Sequence, residues 1–247
     1  MDVLAGLQSV REALRAQRRR LLGLWIRTPA PRGASEVLAL AEAAGVPVEW
    51  APTSELEAGL PPGARSQGLL LQAGPLPELE LADALRLPLE EAPLLVALDE
   101  VEDPQNVGAV ARAAEAAGAS ALVLTRRRAP PLSPAVSRAS AGAIEHLPVV
   151  RVPNLARALR ELHERGYWRL GGDSGPDAIP VEATADALWT GPLALVFGSE
   201  ERGLRPGVAK ELDQRVRIRM RGRVASLNVG AASAVLLFEA ARRRSKA

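Results

Sequence analysis

The sequence contains no cysteine and only two histidines, His146 and His163. The first absence excludes disulfides, thiolate zinc sites and every mechanism built on a cysteine nucleophile. The second argues against a His-rich metal site or a Ser-His triad. His146 in "AIEHLPVV" and His163 in the helical "ALRELHERG" read as surface or packing residues, and no metal is expected. Lysine is scarce as well: of 31 basic residues only Lys210 and Lys246 are lysine, and there are three asparagines. This usage, heavy in arginine, proline and alanine, fits a thermophile or GC-rich codons, and composition does not separate the two. No run approaches the ~18 uncharged apolar residues that a membrane helix needs. The amino terminus, MDVLAGLQSVREAL, has an acid at position 2 and no long apolar stretch, so no secretion signal is expected. A soluble, cytoplasmic protein without membrane partners is the expectation.

What is present is 247 residues with a net charge of +2, enough for one large domain or two small ones. The charge is uneven. Residues 1–92 carry 9 basic and 12 acidic side chains, whereas residues 93–247 carry 22 and 17. An electropositive carboxyl-terminal part points to a polyanionic partner.

Periodicity divides the chain. Residues 1–73 read as helix (Val3–Arg19), strand (Leu21–Arg27), helix (Ala34–Ala44), strand (Val46–Trp50), a short helix near Ser54 and a strand (Gly68–Gln72). Residues 74–92, rich in proline and acid, read as a linker. From residue 93 to 247 strands alternate with helices, which predicts a mostly parallel α/β sheet covered on both faces. Ligands in such sheets sit beyond the carboxyl ends of strands. Three unusual stretches fall there: Asp99–Arg112, Gly198–Leu204 and Met220–Asn228.

In the first, "DPQNVGAVARAAEAAG", Asn106 reads as a helix cap, and Ala109, Ala113, Ala116 and Ala117 form a narrow face. Arg112 follows Asn106 by nearly two turns, a spacing read as putting both on one side. The plain alternative is a capped helix with one solvated arginine. In the second, "LALVFGSEERGL", glycine at a strand end admits a ligand to the backbone. There is no GKS/T, and two acids would repel phosphate, so a cationic or neutral ligand fits better; the plain alternative is a tight turn. In the third, "QRVRIRMRGRVASLNVG", Arg215, Arg217, Arg219 and Arg221 alternate with apolar residues, giving one basic and one apolar face. Arg223 extends the run beyond the strand. No GxGxxG follows the first strand of either segment, which argues against a dinucleotide cofactor. No H-x-E or C-x-x-C exists for a zinc deaminase.

Taken in order, N-x-G-A-x-x-R, G-S-E-x-x-G-L and S-L-N-V resemble the three motifs of the SpoU (TrmH) family. These are S-adenosylmethionine-dependent RNA 2'-O-ribose methyltransferases of the SPOUT superfamily. "GLQSVREAL" and "SQGLLL" are similar to the amino-terminal substrate-binding domain of members that methylate guanosine in bacterial 23S rRNA. The likeness spans nearly the whole chain except the linker and residues 171–187. It implies a carboxyl-terminal trefoil knot, an exception to the usual rules of chain connection that periodicity alone would miss, and an L30e-like amino-terminal domain. It further implies a homodimer with an RNA substrate, 23S rRNA above all. A tRNA ribose methyltransferase and a non-catalytic RNA-binding protein on the same fold are the alternatives.

Carried over by motif, Gly198, Ile218 and Leu227 contact S-adenosylmethionine, and Asn106, Arg112, Glu200, Ser226 and Asn228 occupy the catalytic positions. Arg112 is assigned the activation of the ribose hydroxyl, with Glu200 and Asn106 fixing its geometry. Ser226 and Asn228 hold the loop or the substrate. Phosphate contacts are expected from Arg126, Arg127, Arg128, Arg217, Arg219, Arg221 and Arg223. The sequence departs from the family pattern at Glu201, where many members carry glycine.

Overall fold

The structure, a computed structural model, describes residues 1–58, 60–61, 65–86 and 92–245. These divide into two compact units, residues 1–77 with 131–146, and residues 78–130 with 147–247.

The first unit runs β1 (Asp2–Ala5), α1 (Leu7–Ala16), β2 (Leu21–Arg27), α2 (Ala34–Ala43), β3 (Val48–Ala51), α3 (Thr53–Ala58) and β4 (Leu69–Ala73). Its sheet has the order β1-β4-β2-β3, with β2 and β3 parallel and the other pairs antiparallel. Leu4, Leu24, Ile26, Leu69 and Leu71 alternate along these strands and bury one sheet face against Val10, Leu14, Val37 and Ala41 of α1 and α2. The expected helix Val3–Arg19 is corrected here. Residues 2–5 pair antiparallel with β4 across Asp2–Ala73 to Ala5–Leu70, and Gly6 at φ 91° separates them from α1. An amphipathic pattern that continues into a strand hides the break from a periodicity argument.

The second unit begins within the expected linker. It runs β5 (Glu78–Leu79), α4 (Leu81–Ala84), β6 (Leu94–Asp99), α5 (Pro104–Ala116) and β7 (Ala121–Thr125). The chain then supplies α6 (Pro134–Ala139) to the first unit before returning. The remaining elements are β8 (Val149–Val152), α7 (Leu155–Glu164), β9 (Trp168–Gly172), β10 (Ile179–Pro180), α8 (Ala187–Thr190), β11 (Leu193–Gly198), α9 (Pro206–Ala209), β12 (Gln214–Arg217) and α10 (Val229–Arg244). Eight parallel strands lie in the order β10-β12-β9-β11-β6-β7-β8-β5. Leu95, Ala97, Val123, Val150 and Val196 pack with α4, α7 and α9 on one face. Residues alternating with them face the other side, where α10 packs on α5, β11 and β9.

Two further expectations change. The linker is partly ordered structure: β5 adds a parallel strand beside β8, and Leu81 and Ala84 join the core; residues 87–91 of it lie outside the described residues. Residues 131–146, read as part of the second segment, belong to the first unit. A buried ion pair explains their attachment. Arg19 donates from Nη1 to Asp2 Oδ2 at 2.9 Å and from Nη2 to Glu145 Oε1 at 3.1 Å, and Ser137 Oγ donates to the same Oε1 at 2.8 Å. Burial pushes the Glu145 carboxyl up, while Arg19 pulls it down. A periodic pattern carries no signal for such a long-range polar tether.

Candidate active site

Asp103, not Asn106, caps α5: its Oδ1 accepts from the Gln105 backbone N–H at 3.0 Å, and Pro104 fills the first helical position. Asn106 is therefore released from capping, and its side chain reaches across the fold. Asn106 Nδ2 donates to Glu200 Oε1 at 2.9 Å. Asn228 Nδ2 donates to Asn106 Oδ1 at 2.9 Å and also to Glu200 Oε1. Asn228 Oδ1 accepts from Gly230 N–H at 2.8 Å and so caps α10. Both N–H donors and the carbonyl oxygen of the Asn228 amide are thus engaged. The three motif stretches, from α5, the β11 loop and the start of α10, thus meet through one carboxylate. Bonds to an ionised acceptor are the stronger kind.

Beside this network lies a cleft of about 660 Å³ at the carboxyl ends of β9, β11 and β12, within the range of small-ligand sites. Phe197, Ile218, Leu227 and Leu236 supply apolar walls, Gly172 and Gly198 bare backbone, and Asp173, Glu200 and Glu201 carboxylates. Ser226 and Asn228 also line it. Gly198 has a reason beyond the one its position implies. A Cβ there would stand 2.1 Å from the carbonyl carbon of Gly203, because the loop folds back so that Ser199 bridges Gly203. The chain's own backbone needs the space. The run of small residues opening α10 is likewise shared between two demands: Ala225, Ser226 and Ala232 line the cleft, while a Cβ on Gly230 would meet Ala109 at 2.7 Å. Glu201, the departure from the family pattern, is exposed and is not among the residues at positive φ; Gly203, at φ 63°, takes the left-handed conformation of that turn.

Arg112 stands apart. It is exposed on α5, does not line the cleft, and has no ion pair or hydrogen bond among the described residues. The expected bracing by Asn106 and Glu200 is corrected, since those two bond each other and Asn228. Six residues at 100° each put Asn106 and Arg112 roughly 120° apart on the helix rather than on one side. The alanine face holds only in part: Ala109 packs close to Gly230 of α10. Val107, Gly108, Val110, Ala111 and Ala114 are buried, whereas Ala116 is exposed.

The expected basic face is divided. β12 ends at Arg217, so strand alternation does not extend to Arg221. Arg215 pairs with Asp173 and Asp177, Arg219 with Glu182, Arg126 with Glu80 and Arg128 with Glu100. Among the described residues Arg127, Arg217, Arg221 and Arg223 form no ion pair. Ile218 and Met220, between the arginines, line the cleft. Residues 172–175, which no motif singles out, also line the cleft; their place at the carboxyl end of β9 is the available signal. No group of three or more His, Asp or Glu able to hold a metal occurs among the described residues, nor any helix long and apolar enough to cross a membrane.

Comparison with known proteins agrees with this geometry. Residues 93–238 match the SpoU rRNA Methylase family, and residues 3–79 match the domain described as RNA 2'-O ribose methyltransferase substrate binding. The chain is 35% identical to the 23S rRNA (guanosine-2'-O-)-methyltransferase RlmB of Pseudomonas putida, over 99% of this chain and 97% of that protein. The AdoMet-bound rRNA methyltransferase of Sinorhizobium meliloti superposes with a TM-score of 0.77 at 26% identity, covering 98% of this chain and 87% of that one. A structure solved for 2'-OH methylation of C/U34 on tRNA is 30% identical with a TM-score of 0.56, but covers only 64% of this chain and all of its own. With residues 93–238 matched to the family model and a 35% identical relative matched over 99% of this chain's length, the protein belongs to the SpoU family of RNA 2'-O-methyltransferases.

Proposed function

We propose that the protein methylates the ribose 2'-hydroxyl of a guanosine in 23S rRNA, with S-adenosylmethionine as donor. The carrying observation is the cleft at three strand ends, lined among the described residues by apolar side chains, bare glycine backbone and three carboxylates against the one cation Arg202. Phe197, Ile218, Leu227 and Leu236 suit an adenosine, and Asp173, Glu200 and Glu201 suit a group of net positive charge. Bound there, S-adenosylmethionine supplies a methyl group already activated on a sulfonium, so the chain's task is positioning and proton removal. Gly198, Ile218 and Leu227 hold the donor. Glu200, braced by Asn106 and Asn228, keeps the loop shut over it, and Ser226 faces the substrate.

Arg112 orients the ribose hydroxyl and stabilises the charge that develops on it. A guanidinium is almost never deprotonated in a protein, so it does not act as a literal base. Arg112 does not line its own chain's cleft, and α5 packs on α10. α10 exposes Val235 and Phe238 at 44% and 52%. A homodimer built on this apolar face gives Arg112 a cleft to enter, that of the partner subunit. Arg126, Arg127, Arg128, Arg217, Arg219, Arg221 and Arg223 meet RNA phosphates. The pairs that three of them now make are exposed, and such pairs are worth only ~0–1 kcal/mol, so phosphate displaces them at little cost.

The superfamily's trefoil knot is part of this reading, supported by the placement of β12 beyond β9 and the return of α10 onto α5 and β11. So are an L30e-like fold for the first unit, a catalytic role for the second, and a cytoplasmic location. The match of residues 3–79 to a substrate-binding domain favours rRNA over tRNA, since the tRNA-acting structure covers only part of this chain. Tritiated methyl transfer to unmodified 23S rRNA and to unmodified tRNA tests the reading. Incorporation into 23S rRNA alone is expected; incorporation into tRNA alone, or none, overturns it.

A further inference from the structure

The loop that closes the cleft, residues 199–204, is short of internal support. Within it, Gly203 N–H donates to Ser199 O at 2.8 Å and Arg202 N–H to Ser199 Oγ at 3.3 Å. Its return is fastened elsewhere, to the end of β6. Asp99 pairs in register with Gly198, where the loop departs. The Asp99 side chain is 0% exposed, and three donors converge on it, all from Arg205. The Arg205 backbone N–H donates to Oδ2 at 2.8 Å, its Nε to Oδ1 at 2.8 Å, and its Nη2 lies 2.6 Å from Oδ1. Asp99 thus grips both the main chain and the side chain of the residue that ends the loop. The remaining guanidinium nitrogen, Nη1, is 2.8 Å from Glu100 Oε1. Glu100 itself holds φ 55° and pairs through Oε2 with Arg128 Nη1 at 3.0 Å.

A carboxylate removed from water is costly unless it is paired and hydrogen-bonded, and non-glycine backbone at positive φ is costly too. Neither Asp99 nor Glu100 lines the cleft, so neither cost is met by ligand contact. Both residues lie at the junction that closes the loop, and their partners set its exit point. Releasing Arg205 would strand the Asp99 charge, so the point at which the loop ends is held fast.

Resting on the reading of the cleft as the S-adenosylmethionine site, we propose that Asp99 is a positioning residue. Through Arg205 it holds loop 199–204 where Gly198 lines the cleft and Glu200 reaches Asn106 and Asn228. Neither residue touches substrate or cofactor.

A second pair of the same design supplies the control. Asp213 accepts from Arg169 N–H at 2.8 Å, Nε at 3.0 Å and Nη2 at 2.7 Å, but it precedes β12 and lies away from the cleft lining. Calorimetric titration of the full chain with S-adenosylmethionine, well below the melting temperature, compares the wild type with Asp99→Asn, Arg205→Lys and Asp213→Asn. Asp99→Asn is expected to raise the cofactor Kd at least tenfold, because its amide N–H₂ faces donors. Arg205→Lys keeps the backbone contact and should raise Kd by a smaller factor; it carries the test if Asp99→Asn does not fold. Asp213→Asn should lower the melting temperature yet leave Kd within twofold. Unchanged Kd in both Asp99→Asn and Arg205→Lys overturns the assignment, as does an equal rise in Asp213→Asn. A wild type that does not bind S-adenosylmethionine overturns instead the reading of the cleft on which the assignment rests.

Discussion

Asn228 Nδ2 and Asn106 Oδ1 stand 2.9 Å apart across 122 residues of chain, and the same Asn228 caps α10 through Oδ1. The two tasks are separable by substitution. Asn228→Asp keeps an acceptor for Gly230 N–H but removes the donor and sets a second carboxylate against Glu200. Asn228→Ala loses both tasks. We expect Asp to hold thermal stability close to the wild type, with cofactor affinity reduced at least tenfold. Ala should lose a further ~1 kcal/mol of stability, the usual worth of an N-cap. Chemical denaturation and calorimetric titration measure the two effects; an Asp variant with undiminished affinity would show that the amide contact to Asn106 and Glu200 does not matter.

Gly198→Ala should be among the most damaging single changes. The added methyl would stand 2.1 Å from Gly203 C and 2.5 Å from Leu204 N, both backbone atoms. Nothing flexible can yield, so the loop must open or β11 must shift. A loss of ~3 kcal/mol or more is expected, at the upper end for point substitutions, and with it most of the cofactor affinity. A variant with wild-type melting temperature and affinity would contradict the packing described.

For Arg112→Ala the expectation is reversed. The side chain is exposed and forms no hydrogen bond or ion pair among the described residues, so stability and cofactor Kd should change little. Methyl transfer should fall by about 10²-fold or more, the scale for loss of a positioned charge-stabilising group. Mixed dimers of Arg112→Ala with Asn228→Asp test whether the arginine serves the partner subunit. They should recover part of the activity that neither variant has alone; no recovery would mean that Arg112 serves its own chain or does not act.

Charge reversal at Arg221 separates RNA from cofactor. Each neutralised phosphate contributes a slope of about −0.7 to −0.9 in the log–log dependence of affinity on salt. Arg221→Glu should weaken RNA binding and flatten that slope by about one such step. The cofactor Kd should not move, because Ile218 and Met220, not Arg221, line the cleft. Loss of cofactor with RNA binding retained would invert the two faces of this segment.

α10 carries an acid-sensitive clamp. Hydrogen bonds from Arg242, then Arg243, hold the Glu239 carboxyl down at about 2. A carboxyl whose folded-state pKa is lowered adds stability that is present above its unfolded value and lost as pH falls through the folded one. The stability difference between the wild type and Glu239→Gln should therefore be constant above about pH 5 and shrink toward pH 2. A difference that grows on acidification would show the opposite sign of coupling.

How far the sequence reveals this molecule depends on the kind of interaction. The parallel strands of the second unit were legible because buried strands are continuous apolar runs: LLVALDE, ALVLT and PLALVFG fall on β6, β7 and β11. The motif stretches were legible as glycine, small residues and acids at strand ends. The roles of single polar side chains were not. Asn106 reads as a cap from local spacing, and only the fold brings Glu200 and Asn228 to it. The arginine ladder reads as one basic face, but acids distant in sequence, Asp173, Asp177 and Glu182, claim Arg215 and Arg219. β1 and β5 escaped because each depends on a partner strand supplied elsewhere in the chain.

The central claim, methylation of a ribose 2'-hydroxyl, is tested most directly by mapping 2'-O-methylation along 23S rRNA. The method is limited alkaline hydrolysis, to which a 2'-O-methylated position is resistant, before and after incubation of unmodified rRNA with the purified protein and S-adenosylmethionine. One new resistant position, at a guanosine and dependent on Arg112, is the predicted result. An unchanged hydrolysis pattern, or methyl incorporation confined to a base, would contradict the account.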